Sequence, residues 1–409
     1  MNLNAAFQNR LLEIKQLLAS NDINLATRRL LDLVNDYDVL PEIRQRAVAV
    51  RGKFNIFMQQ SHPEAAEREE IYSHLNQLVL ELSGQTFHQS MTLETEAPDS
   101  ENSARKVVFV GQKLKKTYSS VRFALEDIDI TLHSSQITGL VGENGNGKTT
   151  LLRIIAGDLA LDSGFLAYPT TGHLVPDWYN IKQHIAFIPQ HLKAWQGKLK
   201  DNLHFSAANH GIYGEQNEDY VDFIIHRLGL SRYRDSGWGD ISSGYKLRFE
   251  LARALVWHPK LLILDEPLAN LDINTKSLFL QDLRLLADST RYPIAIVLSS
   301  QQLHEIESVV DNIMFLREGK SIYNGSVKDF GVDRQTNTFE MNCEAERQEL
   351  LNILLTLSSQ ATLRDTGQSY MVDVPTHITG NQLLKHLLSH FKVEYFRDIS
   401  QSTRKLFQD

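Results

Sequence analysis

Two short stretches of the chain carry residue types suited to phosphate chemistry. The first, residues 142–149 (GENGNGKT), follows a β-branched apolar run (QITGLV) and precedes a segment with helical apolar spacing (TLLRIIA). In such a strand, loop and helix, glycines let backbone N–H groups converge on phosphates at a helix N-terminus. The pattern therefore predicts a phosphate loop for ATP or GTP.

Each part of this loop has a predicted contact. Lys148 can reach the β- and γ-phosphates, and the hydroxyl of Thr149 is suited to Mg²⁺. A chance glycine-rich turn is the weaker interpretation, because a strand, a helix, the lysine and the threonine are all in place. The other predicted nucleotide-binding residues of the loop are Gly142, Asn144, Gly145, Asn146, Gly147 and Thr150.

The second stretch is LLILDEP, residues 261–267, in which a continuous apolar run ends in two acids. A strand that is apolar on both faces is typical of a parallel sheet covered by helices. Asp265 is predicted to orient Mg²⁺, and Glu266 to activate the attacking water. Alone, the acid pair could be a solvated turn; together with the phosphate loop it predicts a hydrolytic site.

A third motif indicates the class of nucleotide hydrolase. The segment DISSGYKLRFELARALVWHP places Ser242, Ser243 and Gly244 before a helix, shortly upstream of LLILDEP. It resembles the signature motif of the ABC (ATP-binding cassette) ATPases, usually Leu-Ser-Gly-Gly-Gln, of which Ser242 and Gly244 are retained. A serine hydroxyl and backbone N–H groups at a helix N-terminus can bind a γ-phosphate, whereas an isolated Ser-Ser-Gly is normally a helix cap.

Further residues match the same family in the family's order. Tyr118 resembles the aromatic residue that stacks on adenine, and Gln190 the glutamine that senses Mg²⁺ and links the ATP site to a membrane partner. Asp272, in LANLD, matches the loop that crosses to the opposite subunit. The resemblance covers residues 107–331 and implies an ATPase with ATP and Mg²⁺ as ligands. The implied metal ligands are Thr149, Gln190 and Asp265.

One departure from the family bears on the rate of hydrolysis. After the strand at 295–298 the family usually has a histidine that contacts the γ-phosphate, and this chain has Gln301 there. His304, three residues later, is interpreted as a surface residue. An amide donates a hydrogen bond but carries no charge, so stabilisation of the transition state should weaken. We therefore expect slow hydrolysis. The implied catalytic residues are Lys148, Gln190, Glu266 and Gln301.

The composition predicts a globular, cytoplasmic protein. Its 409 residues are 42% hydrophobic, and this length accommodates two or three domains. No apolar run approaches the ~20 residues that span a bilayer, and the N-terminus lacks the layout of a signal peptide. The single cysteine, Cys343, excludes an internal disulfide and is interpreted as a buried apolar residue. A net charge of -8 argues against broad nucleic-acid binding, and no nucleic-acid partner is expected.

The pattern along the chain predicts three domains. Residues 1–84 have apolar residues at helical spacing, which predicts an all-α bundle of about four helices. Residues 85–106, rich in Ser, Thr, Glu and Asp, predict a flexible linker. Residues 107–331 are predicted to form an α/β P-loop NTPase domain, which in the ABC family has a mixed sheet and a helical subdomain. Residues 338–409 alternate strand and helix, as in a small α+β domain.

The segments LLEIKQLLASNDINLATRRLLDLV and EAAEREEIYSHLNQLVLEL of the N-terminal region loosely resemble a compact helical adaptor of the effector-associated type. Such modules couple signalling proteins through homotypic contacts, so the resemblance implies a protein partner for these helices. A generic helical cap or a dimerisation element is an equal alternative, because the match is one of apolar spacing.

The leading hypothesis is the ATPase subunit of an exporter-type ABC transporter, peripheral on the inner face of the cell membrane, with a separate transmembrane permease. ATP would lie between two cassettes, most simply of a homodimer, each contributing Ser242 to the other's site. The segments GKLKDNLHFSAANHGIYG and EYFRDISQSTRKLF resemble those of exporters. In the family, the region after Gln190, which here includes Trp195 and Leu203, grips the permease.

Two alternatives stay open. The first is a soluble ABC ATPase that acts as a signalling or defence switch, with its N-terminal helices recruiting a protein partner. Gln301 favours this alternative because a switch tolerates slow hydrolysis, whereas the single cassette and the permease-like Gln190 region argue against it. The second is a nucleotide-dependent scaffold without hydrolysis, which the intact pair Asp265 and Glu266 disfavours.

Overall fold

The protein forms two compact units, Met1–Gln301 with Met314–Tyr323, and Gln302–Ile313 with Asn324–Asp409. The N-terminal helices and the phosphate loop therefore belong to the same unit. The computed structural model describes residues 3–37, 39–58, 60, 63–83, 105–118, 123–171, 177–269, 271–330, 336–367, 369–398 and 400.

Helices and strands alternate after an all-helical start. The α-helices of the described residues are α1 (Leu3–Ala19), α2 (Ile23–Asp36), α3 (Pro41–Phe57), α4 (Ala65–Ser83), α5 (Lys148–Ile155), α6 (Trp178–Lys182), α7 (Leu199–Asn209), α8 (Gly214–Arg227), α9 (Ser243–Leu255), α10 (Ile273–Ala287), α11 (Arg347–Leu357) and α12 (Gly380–Leu388). The β-strands are β1 (Val107–Tyr118), β2 (Phe123–His133), β3 (Ile137–Val141), β4 (Ser163–Ala167), β5 (Ile185–Ile188), β6 (Leu261–Leu264), β7 (Ala295–Ser300), β8 (Asn312–Arg317), β9 (Lys320–Ser326), β10 (Thr336–Cys343), β11 (Thr362–Asp365), β12 (Tyr370–Pro375) and β13 (Val393–Asp398).

Helices α1 to α4 form a bundle with its own apolar core. Leu11, Leu30 and Leu75 are each at most 1% exposed, and they recur at the helical spacing that buries one face of each helix. Helix α2 begins after Asp22, whose side chain accepts a hydrogen bond from the Leu25 N–H. The all-α N-terminal region predicted from the sequence is thus present.

Buried ion pairs join this bundle to the helices that follow the phosphate loop. Arg28 of α2 pairs with Asp282 of α10 at 2.5 Å, and the other carboxylate oxygen of Asp282 lies 3.4 Å from Arg248 of α9. Asp32 of α2 pairs with Arg227 of α8 at 2.6 Å. All five side chains are buried. We call them the interface charge cluster.

Hydrogen bonds extend the same contact along α2 and α3. Asn55 of α3 donates to the backbone carbonyl of His226 at 3.0 Å, and Ser289, just after α10, donates to Asp36 at 2.8 Å. The bundle is therefore attached to α8, α9 and α10 by side chains, in addition to the covalent connection at residues 84–104.

The central sheet has the strand order β5-β6-β7-β3-β8-β9. Strands β5, β6, β7 and β3 are parallel neighbours, and β3, β6 and β7 are buried along their whole length. In a parallel sheet the carboxyl ends of the strands meet at one edge, where ligands bind. Here that edge leads to Gly142 after β3, Asp265 after β6, Gln190 after β5 and Gln301 after β7.

A smaller antiparallel sheet has the order β2-β1-β4. Its strand β1 ends at Tyr118, which is paired with Phe123 at the start of β2. Leu125 and Ile128 of β2 are fully buried and belong to the same apolar core as Leu151 of α5. This packing holds the tip of the β1 and β2 pair beside the phosphate loop.

The second unit contains an antiparallel sheet of order β11-β12-β10-β13. Its elements follow one another as βαββαβ, which is the split βαβ arrangement. Leu350 of α11 and Leu383 of α12 pack with Phe339 and Val372 of the sheet. Cys343 is buried beside them, as expected from the sequence, and burial raises the pKa of its thiol.

The C-terminal sheet contains one strand that the sequence did not predict. Strand β11 was not expected, because TLRD carries one apolar side chain in four residues and lies at the edge of its sheet. The predicted linker, residues 85–106, lies outside the described residues except for its last two. In the described part of the chain, every helix is too short or too polar to cross a membrane.

Candidate active site

The phosphate loop leads from the end of β3 into the first turn of α5. Gly147 has φ +100, a left-handed conformation that favours glycine, and a Cβ there would lie 2.7 Å from the Leu125 side chain. A Cβ on Gly142 would lie 2.5 Å from the carbonyl oxygen of Leu316. Glycine is therefore required at both positions, and the resulting turn presents the helix N-terminus that anions prefer.

Lys148 and Thr149 point from this turn toward the acids after β6. The Lys148 ammonium donates to the carbonyl oxygen of Gly142 at 2.6 Å and lies 3.2 Å from a carboxylate oxygen of Glu266. The Thr149 hydroxyl donates to Asp265 at 2.8 Å. The structure thus joins the two stretches that the sequence singled out, although 116 positions separate Thr149 from Asp265.

The Glu266 carboxylate contacts residues that follow strands β3, β5 and β7. Its carboxylate accepts a hydrogen bond from the Gln190 side chain at 3.0 Å and another from the Gln301 side chain at 3.0 Å. Gln301 thus contacts the predicted base directly, whereas His304 is an exposed residue of a short 3₁₀ turn. The side chain of Glu266 is 10% exposed, so its neighbours cover most of it, whereas the side chains of Gln190 and Gln301 are exposed.

The oxygen atoms at Thr149 and Asp265 fit a magnesium ion that is bound together with phosphates. Mg²⁺ prefers oxygen ligands and is commonly held by one or two carboxylates, while waters and substrate phosphates complete its shell. The described residues contain no cluster of three or more His, Cys, Asp or Glu that could hold a metal alone. The donor set present therefore suits Mg²⁺ that arrives with a nucleotide.

An open cleft of about 750 Å³ adjoins the phosphate loop. It is lined by Tyr118 and Phe123, whose rings are 6.3 Å apart, by Asn144 and Gly145 of the loop, and by Lys320. Aromatic faces can stack on a purine base. The structure places Tyr118 beside the phosphate loop and Phe123 next to it; sequence analysis missed Phe123, which begins the following strand.

Asn146 fixes one side of the loop. Its side-chain oxygen accepts a hydrogen bond from the Glu318 N–H at 2.9 Å, which ties the loop to the turn between β8 and β9. Asn146 was predicted to contact the nucleotide, and in the structure its side chain also bonds to the protein. Thr150, the last predicted loop residue, lies in the first turn of α5 and is half-buried.

Comparison with known proteins agrees with this geometry. A family model described as ABC transporter matches residues 125–269. The sulfate/thiosulfate import ATP-binding protein CysA of Nocardia farcinica is 31% identical over 231 residues, which are 56% of this chain and 67% of that protein. The chain belongs to the ABC transporter ATP-binding family. Membership makes it an ABC ATP-binding subunit with ATPase activity.

Two further similarities support the same ABC assignment. The ABC transporter ATP-binding protein NatA of Bacillus subtilis is 26% identical over 252 residues, covering 59% of this chain and 92% of that protein. The structure of cbiO1 from Clostridium perfringens, part of the ABC transporter complex cbiONQ, matches with a TM-score of 0.51 and 24% identity. It covers 56% of this chain and 92% of that one, and at this identity the match supports the fold alone.

The ABC signature residues lie at a different place in the same chain. Ser242 lies at the N-cap position of α9 without a side-chain capping hydrogen bond, and both Ser242 and Ser243 are exposed. A Cβ on Gly244 would lie 2.8 Å from the Thr275 side chain. Asp272 caps α10 and accepts two hydrogen bonds from Thr275, which lower the pKa of its carboxyl. Among the described residues, no hydrogen bond joins these positions to the phosphate loop.

Sequence reasoning also missed Ser299. This serine is 1% exposed at the end of β7 and hydrogen-bonds to both Asp265 and Glu266. The available signal was a polar pair, Ser299 and Ser300, ending the otherwise apolar strand AIVLSS.

Proposed function

We propose that this chain is the nucleotide-binding subunit of an ABC transporter and hydrolyses ATP in association with a separate permease. The observation that supports this most strongly is the carboxylate of Glu266, which lies 3.0 to 3.2 Å from Lys148, Gln190 and Gln301. A phosphate-binding cation, a residue of the permease-coupled loop and a residue of the hydrolytic loop thus meet at one candidate base.

Each residue of the site has a proposed task. Tyr118 stacks on adenine, and the loop residues with Lys148 bind the phosphates. Thr149, Asp265 and Gln190 hold Mg²⁺, which when bound neutralises developing charge on the phosphates. Glu266 accepts the proton of the attacking water.

The complete site requires two chains. The exposed Ser242 and Ser243 at the start of α9 carry a hydroxyl and backbone N–H groups suited to a γ-phosphate, and no hydrogen bond within the described part of the chain joins them to their own phosphate loop. We therefore propose a homodimer in which Ser242, Ser243, Gly244 and Asp272 of one copy complete the nucleotide site of the other.

A slow turnover follows from Gln301. Its neutral amide donates a hydrogen bond to Glu266, and this bond restrains the position of the candidate base. It supplies no positive charge for the γ-phosphate, in contrast to a protonated histidine. The proposed cycle therefore keeps the geometry of hydrolysis and loses part of its electrostatic stabilisation.

The proposed permease contact is the groove between α7 and α8. It is lined by Phe205 and Tyr213, each 68% exposed, on a subunit that carries no membrane helix in its described part. Trp195 and Leu203 were expected to contribute, but Trp195 stacks on Trp238 at 4.8 Å and Leu203 is fully buried. Binding there would hold the subunit on the inner face of the membrane.

We propose coupling to a permease without specifying the direction of transport. Sequence segments favoured export, whereas CysA and other relatives carry names of import proteins. The proposal therefore covers the coupling of ATP to a permease, and export stays a prediction of the sequence alone.

A second candidate is a soluble switch in a signalling or defence system. Its support is the attachment of the N-terminal bundle to α8, α9 and α10 through Arg28 and Asp32, because a bundle fixed to moving helices could report the nucleotide state to a protein partner. A membrane protein encoded beside this chain favours transport, and its absence favours the switch.

The test uses the variant Glu266→Gln, which keeps the size of the side chain and removes the base. With ATP and Mg²⁺ we expect the mass in solution to double, and co-purification from membranes to identify the permease. Lys148→Ala, which removes the phosphate-binding cation, is the control and should stay monomeric. A mass independent of ATP, measured both alone and with the permease, would contradict the shared site. If the subunit purified together with its permease bound ATP but never hydrolysed it, the chain would be a nucleotide-dependent scaffold.

A further inference from the structure

Ser299 occupies the point where β7 passes the two acids that follow β6. It is 1% exposed. Its hydroxyl donates a hydrogen bond to Asp265 Oδ1 at 2.8 Å and accepts one from the Glu266 N–H at 2.7 Å. The other oxygen of Asp265 accepts from Thr149 at 2.8 Å. One buried hydroxyl therefore contacts both acidic residues.

The bond to Asp265 determines how that carboxylate is turned. A carboxylate with a hydrogen bond on each oxygen cannot rotate about its terminal torsion without breaking one of them. A metal ion would take a lone pair of the Thr149 hydroxyl, whose O–H can still donate to Asp265. Ser299 and Thr149 would then each hold one oxygen of Asp265.

The bond to Glu266 supports a strained piece of backbone. Glu266 has φ +44, in a region that residues with a Cβ adopt uncommonly and at some energetic cost. A buried N–H needs a hydrogen-bond acceptor, and the strand ladder provides none where β6 has ended. The Ser299 hydroxyl is that acceptor, so it holds the turn that aims the Glu266 side chain.

We propose that Ser299 is a positioning residue that sets the orientation of Asp265 toward Mg²⁺ and of Glu266 toward the attacking water. This inference rests on the proposed function, since it assigns a task at the same site. Ser299 contacts neither nucleotide nor metal and acts through the two acids. Outer residues of this kind typically change metal affinity or activity by about 10- to 100-fold when they are removed.

The experiment compares Ser299→Ala with Ser289→Ala in the full chain. Ser289 is a matched control, because its hydroxyl also donates to a carboxylate, that of Asp36, and also accepts a backbone N–H, that of Tyr292. It lies at the bundle contact and not at the site. Both variants lose one hydrogen bond to a carboxylate and one from a backbone N–H. Only Ser299→Ala loses them beside Asp265 and Glu266.

The readouts are ATP affinity by calorimetry with and without Mg²⁺, binding of Mn²⁺ to the protein with ATP by electron paramagnetic resonance, and turnover. For Ser299→Ala we expect ATP affinity without metal to be unchanged, Mn²⁺ affinity to fall about tenfold, and kcat to fall about tenfold with little change in KM. Ser299→Thr, which keeps the hydroxyl, should restore most of the metal affinity. Ser289→Ala should change none of these values.

The proposal is overturned if Ser299→Ala binds Mn²⁺ within twofold of the unchanged chain, or if Ser289→Ala shows the same loss. Should Ser299→Ala melt below the assay temperature, Ser299→Cys has nearly the same volume and a weak donor, and the same criteria apply to it. Failure of the unchanged chain to bind ATP with metal would instead refute the proposed function. The two failures are therefore distinguishable.

Discussion

The first unit contains two clusters of charged side chains that resemble each other in composition and differ in setting. At the nucleotide site, Glu266 pairs with Lys148 and accepts hydrogen bonds from two amides, and its side chain is 10% exposed. In the interface charge cluster, Asp282 pairs with Arg28 and Arg248, and it is 1% exposed. We call the first the open cluster, because the exposed side chains of Gln190 and Gln301 border it, and the interface charge cluster the closed cluster, because both of its carboxylates are buried.

The closed cluster is also richer in cations. Arg51 lies beside it and donates only to neutral oxygens of Asn24 and Thr27. Burial, together with the nearby charge of Arg28, lowers the pKa of Arg51 well below its ordinary value. A buried guanidinium is tolerated only while its hydrogen-bond partners stay in place. The closed cluster therefore fixes helix positions, whereas the open cluster is bordered by exposed amides that donate to Glu266 at 3.0 Å.

The largest effect is expected from Asp282→Asn, which neutralises the centre of the closed cluster. Two buried guanidinium groups would lose their charge partner, and the free energy of unfolding should fall by about 3 kcal/mol. Urea unfolding followed by fluorescence measures this loss. The control is Asp288→Asn at the end of the same helix, which breaks the exposed pair with Arg284 and should cost at most about 1 kcal/mol. Equal losses in the two variants would mean that burial does not distinguish these pairs.

The matched change in the open cluster is Glu266→Gln. We expect turnover to fall by at least about a hundredfold, because general base catalysis is lost. The free energy of unfolding should fall by less than in Asp282→Asn, because Gln190 and Gln301 are exposed and the buried Lys148 keeps its hydrogen bonds to the carbonyl oxygens of Gly142 and Glu143. A phosphate-release assay and the same urea unfolding measure both quantities. Retention of turnover would show that another residue is the base.

The next effect concerns pH at the edge of the closed cluster. His258 lines a cavity of about 50 Å³ together with Asp32, Arg227 and Ser289, and burial, followed by the charges of Lys260 and Arg291, lowers the pKa of His258 to about 4. The unfolded chain takes up the proton near pH 6.5, and the folded chain only near pH 4. This contribution to stability is therefore present above pH 6.5 and lost as pH falls, by about 2 kcal/mol at pH 5.

The variant His258→Asn tests this dependence, because asparagine does not titrate and tolerates the left-handed backbone at φ +56. Urea unfolding at pH 7.5 and pH 5 should show a smaller loss in the variant than in the unchanged chain. Burial also lowers the pKa values of His184 and His226, so some dependence should remain. Identical losses in both proteins would exclude His258 as the titrating group.

The smallest effect is expected from Gln301→His in the open cluster. The imidazole can carry charge where the amide cannot, so turnover should be preserved or rise, by up to about tenfold. Gln301→Ala, which removes the hydrogen bond to Glu266, should lower turnover and serves as the control. Steady-state phosphate release at saturating ATP measures both. A clear loss of turnover in Gln301→His would contradict the assigned role of this position.

The open cluster could be predicted from sequence because its residues lie within short motifs. The turn at Gly142 to Gly147 depends on consecutive residues, and the acids Asp265 and Glu266 follow directly on a strand. Parallel strands then bring their ends to one edge without any further information. Ser299 was missed since a hydroxyl in a buried strand has no recognisable motif.

The closed cluster could not be predicted, because its partners are distant in sequence and unremarkable by themselves. Arg28 and Asp282 are separated by 254 positions, and Asp32 and Arg227 by 195. Arg28 lies on an ordinary amphipathic helix, and charged residues there are usually solvated. The sequence therefore predicted a helical module and a linker, whereas the module is packed on α8, α9 and α10.

That packing has a consequence for biosynthesis. The bundle is made first and has a core of its own, but the acid that pairs with Arg28 leaves the ribosome 254 residues later. At translation rates of about 5–20 residues per second, the arginine-rich face of α2 and α3 stays uncovered for roughly 13 to 50 seconds. During that interval Arg28 lacks its acidic partner, so docking of the bundle is completed only late in synthesis.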